Sequence, residues 1–561
     1  MNSANPPGPA CNSRLQASAA AADWCSTVLL VGVTGVLVAQ GHDGLAYTLG
    51  VAGALFLWAS VIVPAMSGLP GSSSIPAYLS ARHTSPVTGT LSCLVLLAAL
   101  TILLAAELTV LANVLGLAGL AAPLGVAVSI AAAGTGFAVL GSGRAGTNTA
   151  AIFAALVAIA LLVALFAMSY ADGPGALVSI PAMADIASLE QTLLEKRLAD
   201  PATFKPHAVP FLRTSALNFA LLVVLLSLGL ALLASPRLDR SSADPIQSTK
   251  VIGRAILFVI AIIVLLPPLA ATAKRALLAL FAAGVRPAAL PDWMAAQLQA
   301  GMLQVCGSSS TDPAILAKAC GKGVGPQGLM RWHEAAFATD SLLFAGLQAA
   351  TPAATVLIVA LAALTVLATF GTAHRIAILA TSAVADPIGT PVFSKPLAVL
   401  VLLAAALIAN AKSADAVALL TWSASLAAAA LAPAMLAAVF VRYPSSLAAN
   451  SAILAGAITT MTVILAVNSA PIELAAWTNA LASAPSSVTR KLATLQDAWT
   501  AAADGPGRDA LRVQAEKLAR DNLSWFGVRP VAAGIFGLAI GGIIVLAGSI
   551  VSSAMRPKPS Q

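Results

Sequence analysis

The sequence predicts an all-α integral membrane protein of about twelve membrane-spanning helices, and three observations carry that expectation. Of the 561 residues, 59% are apolar and only 9% are charged, against about 25% charged in soluble domains. A chain built only of water-soluble cores is thereby excluded. Apolar stretches of about 20 residues, the length that crosses bilayer hydrocarbon, recur along the chain. Ala, Leu, Val and Ile dominate them without the polar alternation of a membrane barrel.

The spans fall roughly at 15–39, 44–67, 88–114, 123–141, 150–170, 214–235, 252–281, 352–382, 396–411, 414–441, 449–468 and 532–555. The opening MNSANPPGPACNSRLQ lacks a basic n-region and a short apolar region with a cleavage site, so no signal peptide is expected. Lys and Arg exceed Asp and Glu, 30 against 22. In this class of chain the excess points to cytoplasmic loops, not to nucleic acid. With the N-terminus inside, Arg14, Arg82, Arg144, Arg237, Arg240, Lys250, Arg254, Lys395, Arg442, Arg556 and Lys558 fall on the cytoplasmic side. The expected location is the inner (plasma) membrane, with both termini cytoplasmic.

Three long outer segments, about 171–213, 282–351 and 469–531, do not vote on orientation, because long loops cross largely regardless of charge. In the third, Ser487 to Asn522 reads as a helix lying over the outer face. In the second, Cys306 and Cys320 are close enough in sequence for a disulfide on the oxidising side; two unpaired thiols fit equally. Five cysteines without C-x-x-C spacing argue against a zinc site.

Gly141, Gly143 and Gly146 spell the dinucleotide-binding fingerprint, but transmembrane helices flank them in place of a strand and a helix, and the next acid is Asp172. They read as a cytoplasmic turn. With no metalloprotease helix motif and no nucleophile elbow, neither an enzyme nor a cofactor is expected.

Charged groups at bilayer depth cost about 2.5–3.5 kcal/mol each on insertion scales and mark functional sites by default. Four stand inside apolar stretches: Asp23 in the first span, Glu107 in the third, His374 and Arg375 in the eighth. One reading pairs them with each other as helix locks. The other places them around a water-reachable centre where the first, third and eighth spans meet. Ser26 and Thr27 beside Ala20 to Ala22 suit a locally unwound first helix, whose free carbonyls can hold a cation. In the eighth, Ala368 and Thr372 share one face, with Gly371 allowing close approach.

Several stretches, in order, resemble the sodium:solute symporter family in its acetate-permease branch. ADWCSTVLLVGVTGVLVAQGHDGLAYTLG (22–50) is similar to the first core helix with its G-[YH]-D-G turn. SSSIPAYLSARH (72–83) resembles a T-F-x-D-[FY]-L-x-x-R loop, and VLGSGRAGTNTAAI (139–152) stands where the family has G-G-M-R-x-T-x-W-x-Q. DPATFKPHAVPFL (200–212), PPLAATAK (267–274), WSASLAAAALAPAMLAAVF (422–440) and WFGVRPVAAGIFG (525–537) also match family segments.

The resemblance implies a LeuT-type inverted-repeat fold. A cytoplasmic tail (1–14) precedes a ten-helix core (15–441), with repeats at 15–170 and 214–441 and outer loops at 171–213 and 282–351. Two further helices (442–555) carry the outer insertion 469–531, and a tail (556–561) follows. Family members usually have one helix before the core, whereas this chain begins at it. The family's Na⁺ site maps to Ala22 and Cys25 on the first helix and to Ala368, Gly371 and Thr372 on the eighth. Asp23, Trp24, Ser26, Glu107 and His374 are expected to line the solute site.

Departures are specific. Where the branch reads S-T-A-D-G, this chain reads Gly371-Thr372-Ala373-His374-Arg375, so one hydroxyl and the acid give way to two basic groups. An Arg⁺ beside Na⁺ repels it by about 4 kcal/mol at 4 Å and an effective dielectric of 20. The expected function is symport of a small organic anion such as acetate, coupled to Na⁺ or to H⁺. The alternative is a non-transporting homologue serving as a membrane partner or sensor subunit.

Overall fold

The computed structural model describes residues 26–67, 74–117, 123–140, 180–199, 204–234, 245–320, 328–350, 394–411, 414–469, 486–501 and 527–554, with isolated positions between them, notably Ala21, Trp24, Thr369, Ala373 and Ile376. Seven described helical segments are long and apolar enough to cross a membrane, and Pro123–Gly134 and Pro396–Asn410 are shorter apolar helices. The spans expected at 150–170 and 352–382 fall largely outside the described residues.

A π-helical turn, Val28–Gly32, runs into the helix Val33–Gln40. After the tight Gly41–Gly44 turn the chain returns as Leu45–Leu57, a second π turn Trp58–Ile62 and Val63–Ser67. The 32-residue helix Pro86–Leu117 follows. Ala216–Leu233 packs on Leu45–Leu57, and Ala416–Phe440 packs on Pro86–Leu117, Ala216–Leu233, Ser446–Ser469 and Gly534–Ala554.

Ala416–Phe440 sits at the centre because its side chains are small. Lipid is as apolar as leucine, so helices associate through close van der Waals packing, which small residues permit. A Cβ on Gly229 would lie 2.0 Å from the Ala424 carbonyl oxygen, and one on Gly456 would lie 2.3 Å from that of Ala429. Pro433, inside the same helix, withdraws the N–H that would otherwise bond Ala429. Outward-facing positions stay apolar, with Leu257, Leu407, Leu447 and Ile543 all highly exposed. In a bilayer they face hydrocarbon.

The long segments after 171 and 282 are more than connections. Ile180–Glu195, Asp292–Gln299, Pro313–Cys320 and the antiparallel strands Leu303–Val305 and Ala335–Phe337 build a cap. Its own apolar core includes Ile186, Leu193, Phe281, Met294, Leu316 and Met330. Cys306 and Cys320 are joined in a disulfide, Cα atoms 5.1 Å apart, which selects between the two readings the sequence left open. Ser486–Ala501 is helical, in line with part of the helix expected from 487.

Candidate functional site

Helical structure is interrupted inside the bundle, where Ala21 is helical and helix is resumed at Thr27. Trp24 lies in a turn, its N–H donating to the Ala21 carbonyl, and Ser26 is outside regular helix. Ser26 then acts as an N-cap. Its hydroxyl accepts the Leu29 N–H at 3.0 Å and its carbonyl accepts the Leu30 N–H at 3.2 Å. A helix start leaves its first N–H groups without intrahelical partners, and buried ones need acceptors from elsewhere. The Thr27 N–H finds one in Glu107 Oε2, at 3.1 Å across the interface with Pro86–Leu117. A carboxylate there also meets the positive end of the helix dipole.

Thr27 connects the same point to a third segment. Its hydroxyl lies 2.9 Å from that of Thr369, and both residues are fully buried. Ala373 and Ile376, on the same stretch, are buried as well. The first, third and eighth spans therefore meet at Thr27, Glu107 and Thr369.

Three buried polar atoms here have no hydrogen-bond partner among the described residues: Glu107 Oε1, Trp24 Nε1 and Trp58 Nε1. The two indoles pack edge to face with centroids 6.0 Å apart. An unmet buried polar atom costs about 1–3 kcal/mol. The two indole N–H groups can donate to oxygens of an anion, and the free carboxylate oxygen can take a proton or a cation.

Of the expected solute-site residues, Trp24, Ser26 and Glu107 are described: Trp24 and Ser26 lie at the break just ahead of Thr27, whose N–H Glu107 accepts. Asp23 and His374 lie outside the described residues, as do the expected Na⁺-site positions Ala22, Cys25, Ala368, Gly371 and Thr372, and also Arg375. Sequence reasoning missed Trp58 and Thr369. Trp58 sits in an apolar run with nothing local to single it out. Thr369 is three residues from Thr372 and so near it on a helix face, a signal that was present.

A second polar region lies at the far end of the first helix. Asp43, in the Gly41–Gly44 turn, is buried and accepts backbone N–H bonds from Phe211 (2.7 Å), Arg213 (2.6 Å) and Thr214 (2.7 Å). The Arg213 guanidinium donates to the Gln40 carbonyl at 3.0 Å and also to that of Lys205. Glu190 accepts the His207 N–H at 3.0 Å. Burial pushes the Glu190 carboxyl up, opposed by that N–H and by the positive charges of Lys274 and Arg213.

No family model matches the chain. Over 65 residues it is 40% identical to an uncharacterized symporter of Cupriavidus necator, a match covering 12% of this chain and 9% of that protein. Over 98% of its length it is similar in structure to a Na⁺-coupled sialic acid symporter in a substrate-bound outward-open state, of which it covers 91%, with a TM-score of 0.52 and 13% identity. The chain thus has the all-α, LeuT-type fold of a multi-pass membrane transporter.

Proposed function

We propose that this chain is a secondary active symporter that moves a small organic anion, such as acetate or another short monocarboxylate, with Na⁺ or H⁺. One observation carries the reading: helical structure is interrupted inside the bundle at Trp24 and Ser26, with the buried carboxylate of Glu107 on the Thr27 N–H just after the break and one carboxylate oxygen unmet. Broken helices at a repeat interface are where transporters of this architecture hold solute and coupling ion. Trp24 and Trp58 supply donors to the anion's oxygens.

Coupling follows from charge. An ionised Glu107 repels an anion by about 4 kcal/mol at 4 Å and an effective dielectric of 20, about a thousandfold in affinity. The anion binds well only when a proton or cation neutralises Glu107, so the two travel together. Na⁺ would sit between the first and eighth helices near Ala22, Cys25, Ala368, Gly371 and Thr372. The Thr27–Thr369 contact supports that meeting of elements. Alternating access is rocking of the bundle about this point. The disulfide supports placing the capped end on the oxidising, outer side.

The test is uptake of radiolabelled monocarboxylates into proteoliposomes under separate Na⁺ and H⁺ gradients, for wild type and Glu107→Gln. Gradient-driven uptake in wild type, with loss of the driving effect in the variant, supports the reading. Absence of saturable solute binding and of uptake assigns the chain to the non-transporting subunit class.

A further inference from the structure

Between the outer-cap segments and the end of the first helix lies a cavity of about 340 Å³, lined by Val38 and Ala39 from that helix and by Phe204, Lys205, Arg213, Lys274, Trp332 and His333. It is not the site at the helix break. From Thr27 to Ala39 the helix rises about 18 Å at 1.5 Å per residue. The volume falls in the range of small-molecule pockets, about 300–1,000 Å³.

Its charge is unusual for a buried surface. Lys274 is almost completely buried, yet its ammonium makes no hydrogen bond among the described residues and instead lies 4.1 Å from the centre of the Trp332 ring. Burying an ammonium without a partner is unfavourable, and a cation–π contact offsets only part of that. Lys205 and Arg213 add two more positive charges to the wall. The acids near these three groups are Glu190 and Asp43, both engaged by backbone N–H groups. Three basic side chains stand against two acids, so the wall carries one more basic group than it has carboxylates to meet it.

We propose that this cavity is a second binding site, for an organic anion carrying a single negative charge on an apolar body. The carboxylate meets the Lys274 ammonium and the Lys205 wall, and the apolar part lies against Phe204, Trp332 and Val38. Arg213 is committed to carbonyl oxygens and holds the loop in place. The binding claim does not depend on transport. If the chain transports anions, the cavity is where they are gathered before reaching the helix break.

The experiment uses the purified full-length protein in detergent and direct binding of radiolabelled benzoate, with benzylamine and benzyl alcohol as cationic and neutral competitors of the same shape. Saturable benzoate binding is expected. It is weakened about tenfold or more in Lys274→Gln, given the Coulomb energy of a close, partly buried pair, retained in Lys274→Arg, and unchanged in Glu107→Gln. Lys205→Gln, at an exposed position, gives a smaller loss in the same direction and covers the case in which Lys274→Gln does not fold. Benzoate binding that is absent, indifferent to Lys274 and Lys205, or displaced equally by benzylamine overturns the proposal. Intact, Glu107-dependent acetate uptake beside any of those results removes this inference alone. Lys274-dependent binding without uptake removes only the transport reading.

Discussion

Asp43 offers the sharpest stability test, because one buried side chain holds three backbone N–H groups from a distant loop. Hydrogen bonds to an ionised acceptor contribute about 1.5–3 kcal/mol each. Asp43→Ala removes all three. Thr214 is buried, so its N–H is left without water or partner, whereas Phe211 is exposed and Arg213 partly so, and solvent can reach them. The expected loss is therefore below the full sum, about 3–5 kcal/mol. Asp43→Asn keeps one acceptor oxygen and turns an N–H₂ toward the other bonds, for a loss of about 1.5–3 kcal/mol. Equilibrium unfolding in mixed dodecyl-maltoside and SDS micelles measures both. Because the damage begins locally, tryptic cleavage after Arg213 should also accelerate before global unfolding. An Asp43→Asn protein within 0.5 kcal/mol of wild type on the order-of-magnitude scale of ordinary surface changes, with the 204–214 loop equally resistant to trypsin, would refute the reasoning.

Four further outcomes are expected. Glu107→Ala leaves the buried Thr27 N–H without an acceptor and destabilises by about 1–3 kcal/mol, whereas Glu107→Gln keeps an acceptor and stays near wild type in the same unfolding assay. A double-mutant cycle of Thr27→Val and Thr369→Val yields a coupling of about 0.5–1.5 kcal/mol, and zero coupling denies the contact between the first and eighth spans. Gly229→Ala drives a methyl into the Ala424 carbonyl and destabilises by about 1–3 kcal/mol or more, while an alanine at Gly542, which has open space around it, does not. The last concerns His207, whose imidazole is pushed down to about 3 by burial first and then by Lys274 and Arg213. The unfolded chain takes up that proton near pH 6.5 and the folded one does not, so stability is complete above 6.5 and declines as pH falls from there toward 3. The decline is about 1.4 kcal/mol per unit, or about 2 kcal/mol by pH 5, and His207→Gln flattens it. Glu190, raised by burial, acts in the opposite sense above 4.5 and is present in both proteins, so the difference between wild type and His207→Gln is what reports the imidazole.

The sequence by itself determined the membrane class, because a chain with 59% apolar and 9% charged residues cannot make several soluble cores. It also pointed to Glu107, since a carboxylate within an apolar span is expensive wherever its neighbours lie. Ser26 was legible through local chemistry: a small hydroxyl residue ahead of an apolar run is a helix cap at any depth. Three-dimensional proximity was not legible. Nothing near Trp58 in sequence tells that its indole meets Trp24, and the nearness of Thr369 to Thr372 marks a helix face without telling that the Thr369 hydroxyl reaches Thr27 across 342 positions.

The cap was the larger omission. Its residues alternate too little and too briefly for a pattern to emerge, and only the closure of the Cys306–Cys320 clip and the pairing of two three-residue strands give them a core. Lys274 shows why such features escape a linear reading. In sequence it is a basic residue toward the end of a spanning helix, where a long side chain ordinarily reaches water. The tertiary structure instead folds Trp332 and the 204–214 loop over it, and a charge that the sequence would leave solvated becomes a buried group in need of a counter-charge.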